Sequence, residues 1–364
     1  MPSGGIYLRP LQGGHYLLLL IALIIAVFCA PAPSWAQSEV FKVGPIAAAR
    51  GQASSGFLEI PAGVDAATQV PITVIHGAKE GPVLALVAGT HGYEYSPVLA
   101  LNRMKPKIDA KKLSGTVILV HVANMPSFLK RTIYYNPWDW KNLNRVYPGK
   151  PDGTNTERIA DAITKEVIER SDYLVDLHCG DGNEALLPYA YWMTLDDEKL
   201  NEKAKQMVLA FGLSTIVIDN ERPRDPKASS YTSNTAMTRG KPAITIESGL
   251  LGSMSEEWIV LIESGVMNML KHLKMIEGRA TYVAKPRWID RNEVVRSPAT
   301  GVLWPKAKLG KPVKQGELLA VVNDFFGNVL AEVRAPFAGV LLYILGTPPI
   351  NAGEPVAFVG HVRQ

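Results

Sequence analysis

Between residues 69 and 276 strand-like and helix-like segments alternate, and this alternation constrains the fold more than any other feature of the chain. "QVPITVIHG", "PVLALVAGT", "GTVILVHVA", "DYLVDLHC", "STIVIDN" and "PAITIES" read as strands rich in Val and Ile. Several are near-continuous apolar runs, as strands covered on both faces require. The stretch 157–170 spaces Ile159, Ile163 and Val167 four apart, which predicts a helix with one apolar face. A longer helix is predicted over 255–276, with "SMSE" (253–256) before it as a capping box. Such alternation argues for an α/β layered domain.

The character changes near Lys285–Pro286. From there the chain loses its helical period, and short β-like segments are broken by Gly and Pro. It also repeats itself: "SPATGVLWPKAKLGKPVKQGE" (297–317) matches "APFAGVLLYILGTPPINAGE" (335–354), with Pro298 and Pro336 38 residues apart. Two related halves predict a small, closed, pseudo-symmetric β domain. This tail resembles the barrel-sandwich domains that carry biotin or lipoate on a lysine of the hairpin joining the halves. Here that hairpin reads "NDFFGNVL" (323–330) and has no lysine, so the fold is expected without the covalent cofactor.

At the other end, the apolar run "LLLLIALIIAVFCA" (17–30) after Arg9 has the length of a signal-peptide core and is short for a membrane span. Small residues at Ser34 and Ala36 place the expected cleavage after Ala36. The domains are therefore expected at 1–36 (signal peptide), 37–285 (hydrolase) and 286–364 (β domain). The protein would be exported to the periplasm or the extracellular space, without stable membrane insertion after cleavage. Removing the leader takes away one charge, Arg9, and lowers the net charge from +4 to +3. So small a balance argues against a nucleic-acid partner. Only Cys179 survives cleavage, so an intrachain disulfide is excluded; its place beyond a strand end marks it as a buried small hydrophobe.

The chemistry sits at strand ends. In "GTHGYEYSP" (89–97) a strand opens into a loop where Gly89 and Gly92 permit a tight turn, so that His91 and Glu94 can converge. A third candidate ligand, His178, ends "DYLVDLH" before Gly180 and Gly182. Two histidines and one carboxylate, with a position left for water, form the ligand set of hydrolytic zinc enzymes such as carboxypeptidase A. One Zn2+ per chain is therefore expected. Each part also has an ordinary reading: a strand-end histidine is often structural, and a glutamate at a helix start often complements only the dipole. What favours a site is two strand ends, each opening into a glycine-rich loop. Asp176 shares a strand face with His178 and is placed to orient it or His91. Glu247 ends the strand "PAITIE" and is either a proton shuttle beside the metal or half of an ion pair. Asn144 and Arg145, in "NLNRVYPG", are candidates for holding a substrate carboxylate.

Taken in order, "GTHGYE", "NLNRVYPG", "DLHCG" and "AITIESG" resemble the succinylglutamate desuccinylase/aspartoacylase family, the deacylase branch of the zinc carboxypeptidase fold. The resemblance implies a mixed sheet flanked by helices, followed by a C-terminal all-β domain. It implies zinc on His91, Glu94 and His178, Glu247 as the base that activates water, and Asn144 and Arg145 as substrate-binding residues. The family also has an arginine shortly before the Asn-Arg pair that polarises the scissile carbonyl. Arg131 is the candidate here, with Tyr134 competing for the position. A further substrate arginine is expected among Arg222, Arg224 and Arg239.

The function expected is hydrolysis of the amide of an N-acyl amino acid or a similar small amide. One alternative is an exported zinc carboxypeptidase or amidase acting on cell-envelope peptides. Another is a binding or assembly protein with a vestigial zinc site, against which the intact set of His91, Glu94, His178 and Glu247 argues. In the first two readings the partner is a small molecule or short peptide bearing a carboxylate.

Overall fold

The computed structural model describes residues 1–2 and 39–363. The expected leader, 1–36, falls outside the described residues save for its first two. No described helix is long and apolar enough to cross a membrane.

The Val- and Ile-rich runs form strands. A small antiparallel ribbon, β1 (Val40–Val43) with β2 (Ile46–Ala49), precedes the main sheet. The sheet is built from β3 (Gln52–Ile60), β4 (Thr68–His76), β5 (Lys79–Val87), β6 (Ser114–Val120), β7 (Tyr173–His178), β8 (Glu184–Leu186), β9 (Tyr189–Met193), β10 (Thr215–Asp219) and β11 (Ala243–Glu247). The α-helices of the described residues are α1 (Tyr95–Met104), α2 (Met125–Lys130), α3 (Asn155–Ile163), α4 (Glu198–Phe211), α5 (Thr232–Met237) and α6 (Glu256–His272).

Across the sheet the order runs β3-β4-β6-β5-β7-β11-β9-β10. β5 is parallel to β6 and β7, and β7 to β11. β4 is antiparallel to β3 and β6, and β9 to β11, so the sheet is mixed. β5 lies between parallel neighbours, and its residues 83–87 are all buried. That is why it reads as a continuous apolar run and not as an alternating one.

Two local readings change. The helix predicted over 157–170 appears as α3, and its continuation Thr164–Ile168 is a wider, π-helical turn. The capping box expected at 253–256 does not form: Ser255, not Ser253, is the N-cap of α6, and no side-chain bond caps it. A box needs glutamate three residues after the cap. That spacing is met at Thr154, whose N–H donates to Glu157 Oε2 at 3.0 Å.

From Arg287 onward the described chain is all β: β12 (Arg287–Arg296), β13 (Gly301–Pro305), β14 (Pro312–Val313), β15 (Leu318–Asn323), β16 (Val329–Arg334), β17 (Gly339–Leu345), β18 (Pro349–Ile350) and β19 (Pro355–Val362). β12 begins parallel to β10, with Thr215 opposite Arg287, and continues as the antiparallel partner of β19. The main sheet therefore runs unbroken into the C-terminal half.

The sequence repeat is a repeat of hydrogen bonds. The N–H of Gly316 donates to Ala335 O and that of Gly353 to Ser297 O, each at 2.8 Å. Ala335 N–H returns to Glu317 O, and Ser297 N–H to Glu354 O, each at 2.9 Å. In both turns the glutamate carboxylate accepts a backbone N–H three residues earlier, from Lys314 and from Asn351. Each half thus closes on the start of the other.

One core fills the space beside the main sheet, with Ile75, Leu84, Leu86, Leu101, Ile118 and Ile159 fully buried. A second surrounds Leu319, Leu341 and Val356 and takes in Leu186 and Tyr189. The C-terminal half therefore grips β8 and β9, the strands next to the site. β8 pairs directly with β17, Tyr343 opposite Leu186.

Candidate active site

The site forms where parallel strands end together. Gly89 turns the chain after β5 with φ +68°, and a Cβ there would stand 2.9 Å from Val122 Cα. At Gly92 it would stand 2.3 Å from Thr132 O. Only glycine fits either position. The turn delivers His91 and Glu94 to the end of β7, where His178 stands.

Glu94 is the N-cap of α1, yet its side chain makes no capping bond. Instead its two oxygens face two imidazoles: Oε1 lies 2.5 Å from His91 Nδ1, and Oε2 lies 2.8 Å from His178 Nδ1. All three side chains are buried. Burial pushes the Glu94 carboxyl up, but the two imidazoles outweigh it and hold it at about 2. The ligand atoms of the three lie within 4.8 Å of one another. Two converging imidazole nitrogens and a buried carboxylate are the donor set that suits Zn2+, so the residues fit the metal.

The outer nitrogens are held too. His91 Nε2 lies 3.1 Å from Asn142 Oδ1, a partner that the sequence reading did not single out. Asp176 Oδ1 lies 3.1 Å from His178 Nε2, so it serves His178 and not His91. The approach is oblique, and neither Asp176 oxygen gains a well-directed hydrogen bond. Asn144 Nδ2 lies 3.2 Å from the same Nε2. The Asn144 amide is fixed in that sense because its Oδ1 accepts from Thr232 N–H (2.8 Å) and Thr232 Oγ1 (3.1 Å).

Sheet register gathers the rest. Glu247 sits opposite His178 on one side and Tyr189 on the other. Opposed residues in adjacent strands share a face, as do residues two apart. Glu247, Thr245, His178, Asp176, Tyr189 and Tyr191 therefore all stand on one face. Cys179 follows the strand and is fully buried as an unpaired thiol, with no place in the triad. Burial pushes the Glu247 carboxyl well above the usual carboxylate range, His178 pulls against that, and Glu94 and Glu184 push it further. No ion pair of Glu247 exists among the described residues, and its side chain lines the cavity beside the triad.

A cavity of about 310 Å³ opens on this face and is lined by the triad, Glu247, Asn144 and Arg145. Of the three further arginines, only Arg222 lines it. Its guanidinium stacks 3.7 Å from the ring centre of Tyr231, and Arg145 approaches the same ring at 4.7 Å. Asp219 fixes Arg222 through Nε at 2.5 Å. Arg224 pairs with Asp196 at the surface, and Arg239 lies near Glu169.

Arg131 is a correction. It caps α2 in the left-handed conformation (φ 55°), is exposed, and lines a separate depression with Tyr95, Phe128 and Met254. Arg131 is not among the residues that line the cavity with the triad. Tyr134, its competitor for the position, does line the cavity. Its ring packs edge-on against His91 at 5.8 Å, and its hydroxyl donates to Glu184 Oε1 at 2.7 Å. Its N–H donates to Asp181 Oδ2 at 3.0 Å. Asp181 and Glu184 follow "DLHCG" by a few residues, and only their carboxylates within a glycine-rich segment could have drawn notice.

This arrangement has known relatives. The model of the succinylglutamate desuccinylase/aspartoacylase catalytic domain matches residues 80–273. The N-alpha-acetyl-L-2,4-diaminobutyric acid deacetylase of Halomonas elongata is 32% identical over 321 residues, covering 85% of this chain and 92% of that protein. A crystal structure of a succinylglutamate desuccinylase from a Silicibacter species superposes with a TM-score of 0.77 at 27% identity, covering 88% of this chain and all of that one. The product-bound ectoine utilization protein EutE (DoeB) of Ruegeria pomeroyi gives 0.76 at 29% identity, with 85% and 95% covered. With a matching catalytic-domain model and a deacetylase alike over nearly its whole length, this chain belongs to the succinylglutamate desuccinylase/aspartoacylase family of amidohydrolases.

Proposed function

We propose that the protein is a zinc-dependent deacylase that hydrolyses the amide of small N-acyl amino acids, with N-acetylated amino acids foremost. The observation that carries this reading is the meeting of His91, Glu94 and His178 with Glu247 on one cavity wall that also bears Arg145 and Arg222. Its volume of about 310 Å³ is at the small end of ligand pockets and suits an acylated amino acid better than an envelope peptide. The Halomonas relative, named for removing acetyl from a diamino acid, supports the same substrate class.

His91, Glu94 and His178 would hold the zinc, which would supply a Lewis acid for the scissile carbonyl and lower the pKa of a water. Glu247 accepts the proton as water adds to the carbonyl carbon. The C–N bond then breaks, the acyl group leaves as a carboxylic acid, and Glu247 returns the proton to the departing amine. Arg145 and Arg222, stacked on one tyrosine, are pre-positioned to hold the amino acid's carboxylate. Asn142 and Asp176 keep the two imidazoles turned inward.

The test is hydrolysis of an N-acetyl amino acid panel by metal-stripped protein before and after zinc is returned. Activity that ignores the metal would sink the reading. We propose also that residues 1–36 direct export, on the strength of the apolar run 17–30. N-terminal sequencing of envelope-derived protein should start at Gln37, and a start at Met1 would refute cleavage.

A further inference from the structure

Glu184 is the cavity carboxylate without a role in the chemistry above. Among the charged residues lining the cavity, Glu94 belongs to the triad, Glu247 is assigned to proton transfer, Arg145 and Arg222 are assigned to the substrate carboxylate, and Arg296 is exposed and donates to Gly353 O at 2.9 Å. Glu184 opens β8, is half-buried, and lines the same cavity. Its partners are neutral donors: Oε1 accepts from the Tyr134 hydroxyl at 2.7 Å and Oε2 from Asp181 N–H at 3.1 Å. It makes no ion pair with a lysine, arginine or histidine among the described residues. A carboxylate withdrawn from water is costly unless a cation joins it, and burial accordingly pushes its carboxyl above the usual range. Each oxygen still has a lone pair to offer, since an ionised carboxylate accepts about four hydrogen bonds.

The surroundings are aromatic. Besides Tyr134, the rings of Tyr189 and Tyr343 line the cavity and lie close enough to feel the charge on Glu184. Tyr343 comes from β17, the strand that pairs with β8 through Leu345 opposite Glu184. A carboxylate held by neutral donors, without a cationic partner of its own, is a setting that attracts an ammonium ion. Opposite chemistry is built elsewhere in the cavity, where Arg145 and Arg222 flank Tyr231. The cavity is thus bipolar.

Resting on the deacylase reading, we infer that Glu184, framed by Tyr134, Tyr189 and Tyr343, is a subsite for a side-chain ammonium. The substrates are N-acyl amino acids that carry a free amine beyond the α-carbon. The arginines take the carboxylate, and Glu184 takes the amine. Glu184 is then a specificity residue and moves no proton.

The experiment compares Nα-acetyl-2,4-diaminobutyrate with Nα-acetyl-2-aminobutyrate, which lacks the ammonium, on the zinc-loaded full chain and on Glu184→Gln. Wild type should prefer the cationic substrate. Glu184→Gln should lose about 30-fold or more in kcat/KM on it, the lower end for removing one partner of a buried charge pair. The neutral substrate should change by less than about threefold, which a purely structural role for Glu184 would not allow. Equal losses on both substrates, or no preference in wild type, overturn the inference. Calorimetry of wild type with 2,4-diaminobutyrate and 2-aminobutyrate covers the case of a variant that does not fold, and equal affinities overturn the inference there as well. Hydrolysis of no N-acyl amino acid at all would instead defeat the deacylase reading, while the calorimetric comparison still decides on the subsite.

Discussion

Replacing Glu247 by Gln separates chemistry from architecture at one atom. The amide keeps the shape of the carboxylate and its place on β11 opposite His178. No ion pair of Glu247 exists among the described residues, so the substitution breaks none. Burial and the nearby carboxylates of Glu94, Glu184 and Asp176 resist a negative charge at this position, and His178 favours it. The substitution should therefore leave the melting temperature nearly unchanged. The rate should behave otherwise. General-base catalysis by a placed carboxylate is worth about 10² to 10⁴, or roughly 2.7 to 5.5 kcal/mol of barrier. The loss should fall on kcat with KM nearly constant, because the interaction is made in the transition state. Melting temperature, zinc content and steady-state kinetics measured on one preparation give all three quantities. A folded, zinc-loaded Glu247→Gln with close to wild-type kcat would show that another group takes the proton. A marked drop in melting temperature with kcat per folded molecule preserved would return Glu247 to a structural part.

Other expectations are as direct. His91→Ala and His178→Ala should each lose zinc on dialysis, since a site with three protein ligands does not spare one cheaply; metal analysis showing full occupancy in both would move the site. Arg222→Met should raise KM for N-acetyl amino acids about 10- to 100-fold, as the loss of a charged hydrogen bond does. Arg131→Met, exposed and outside the cavity, should change kcat/KM by less than about threefold. His121 follows β6, with Nε2 2.8 Å from Thr73 Oγ1, and burial together with Lys105 lowers its pKa to about 4. Between pH 6.5 and 4 the unfolded chain binds a proton there that the native state refuses, so stability should fall as pH falls through this window. Thermal melts of His121→Gln should show a shallower fall; an unchanged slope would remove His121 as the cause.

Some of this was legible in the chain alone because the signals are local. A strand that ends in histidine before a glycine-rich loop announces both its own end and a ligand. Three strand ends, one leading to His91 and Glu94, one ending in His178 and one in Glu247, proved to be neighbours in one mixed sheet. Period 2 puts His178 and Asp176 on the same face with no further information, and the strand register adds Glu247. The repeat in the tail was legible for a similar reason: each Gly-Glu turn hydrogen-bonds to the start of the other half, so the same residues recur. The tertiary structure decided what depends on contacts distant in sequence. Arg222, and not Arg224 or Arg239, is held at the cavity by Asp219 and Tyr231, beside Thr232, which is anchored on Asn144 88 residues away. Arg131 stands at the left-handed cap of α2 and lines a depression other than the cavity. Asn142 reaches His91 across 51 residues and Tyr134 reaches Glu184 across 50, and neither pairing leaves a period or a motif to read. Local sequence sets which way a side chain points along its strand or turn, but which side chain it meets is settled only when distant strands and loops close around the cavity.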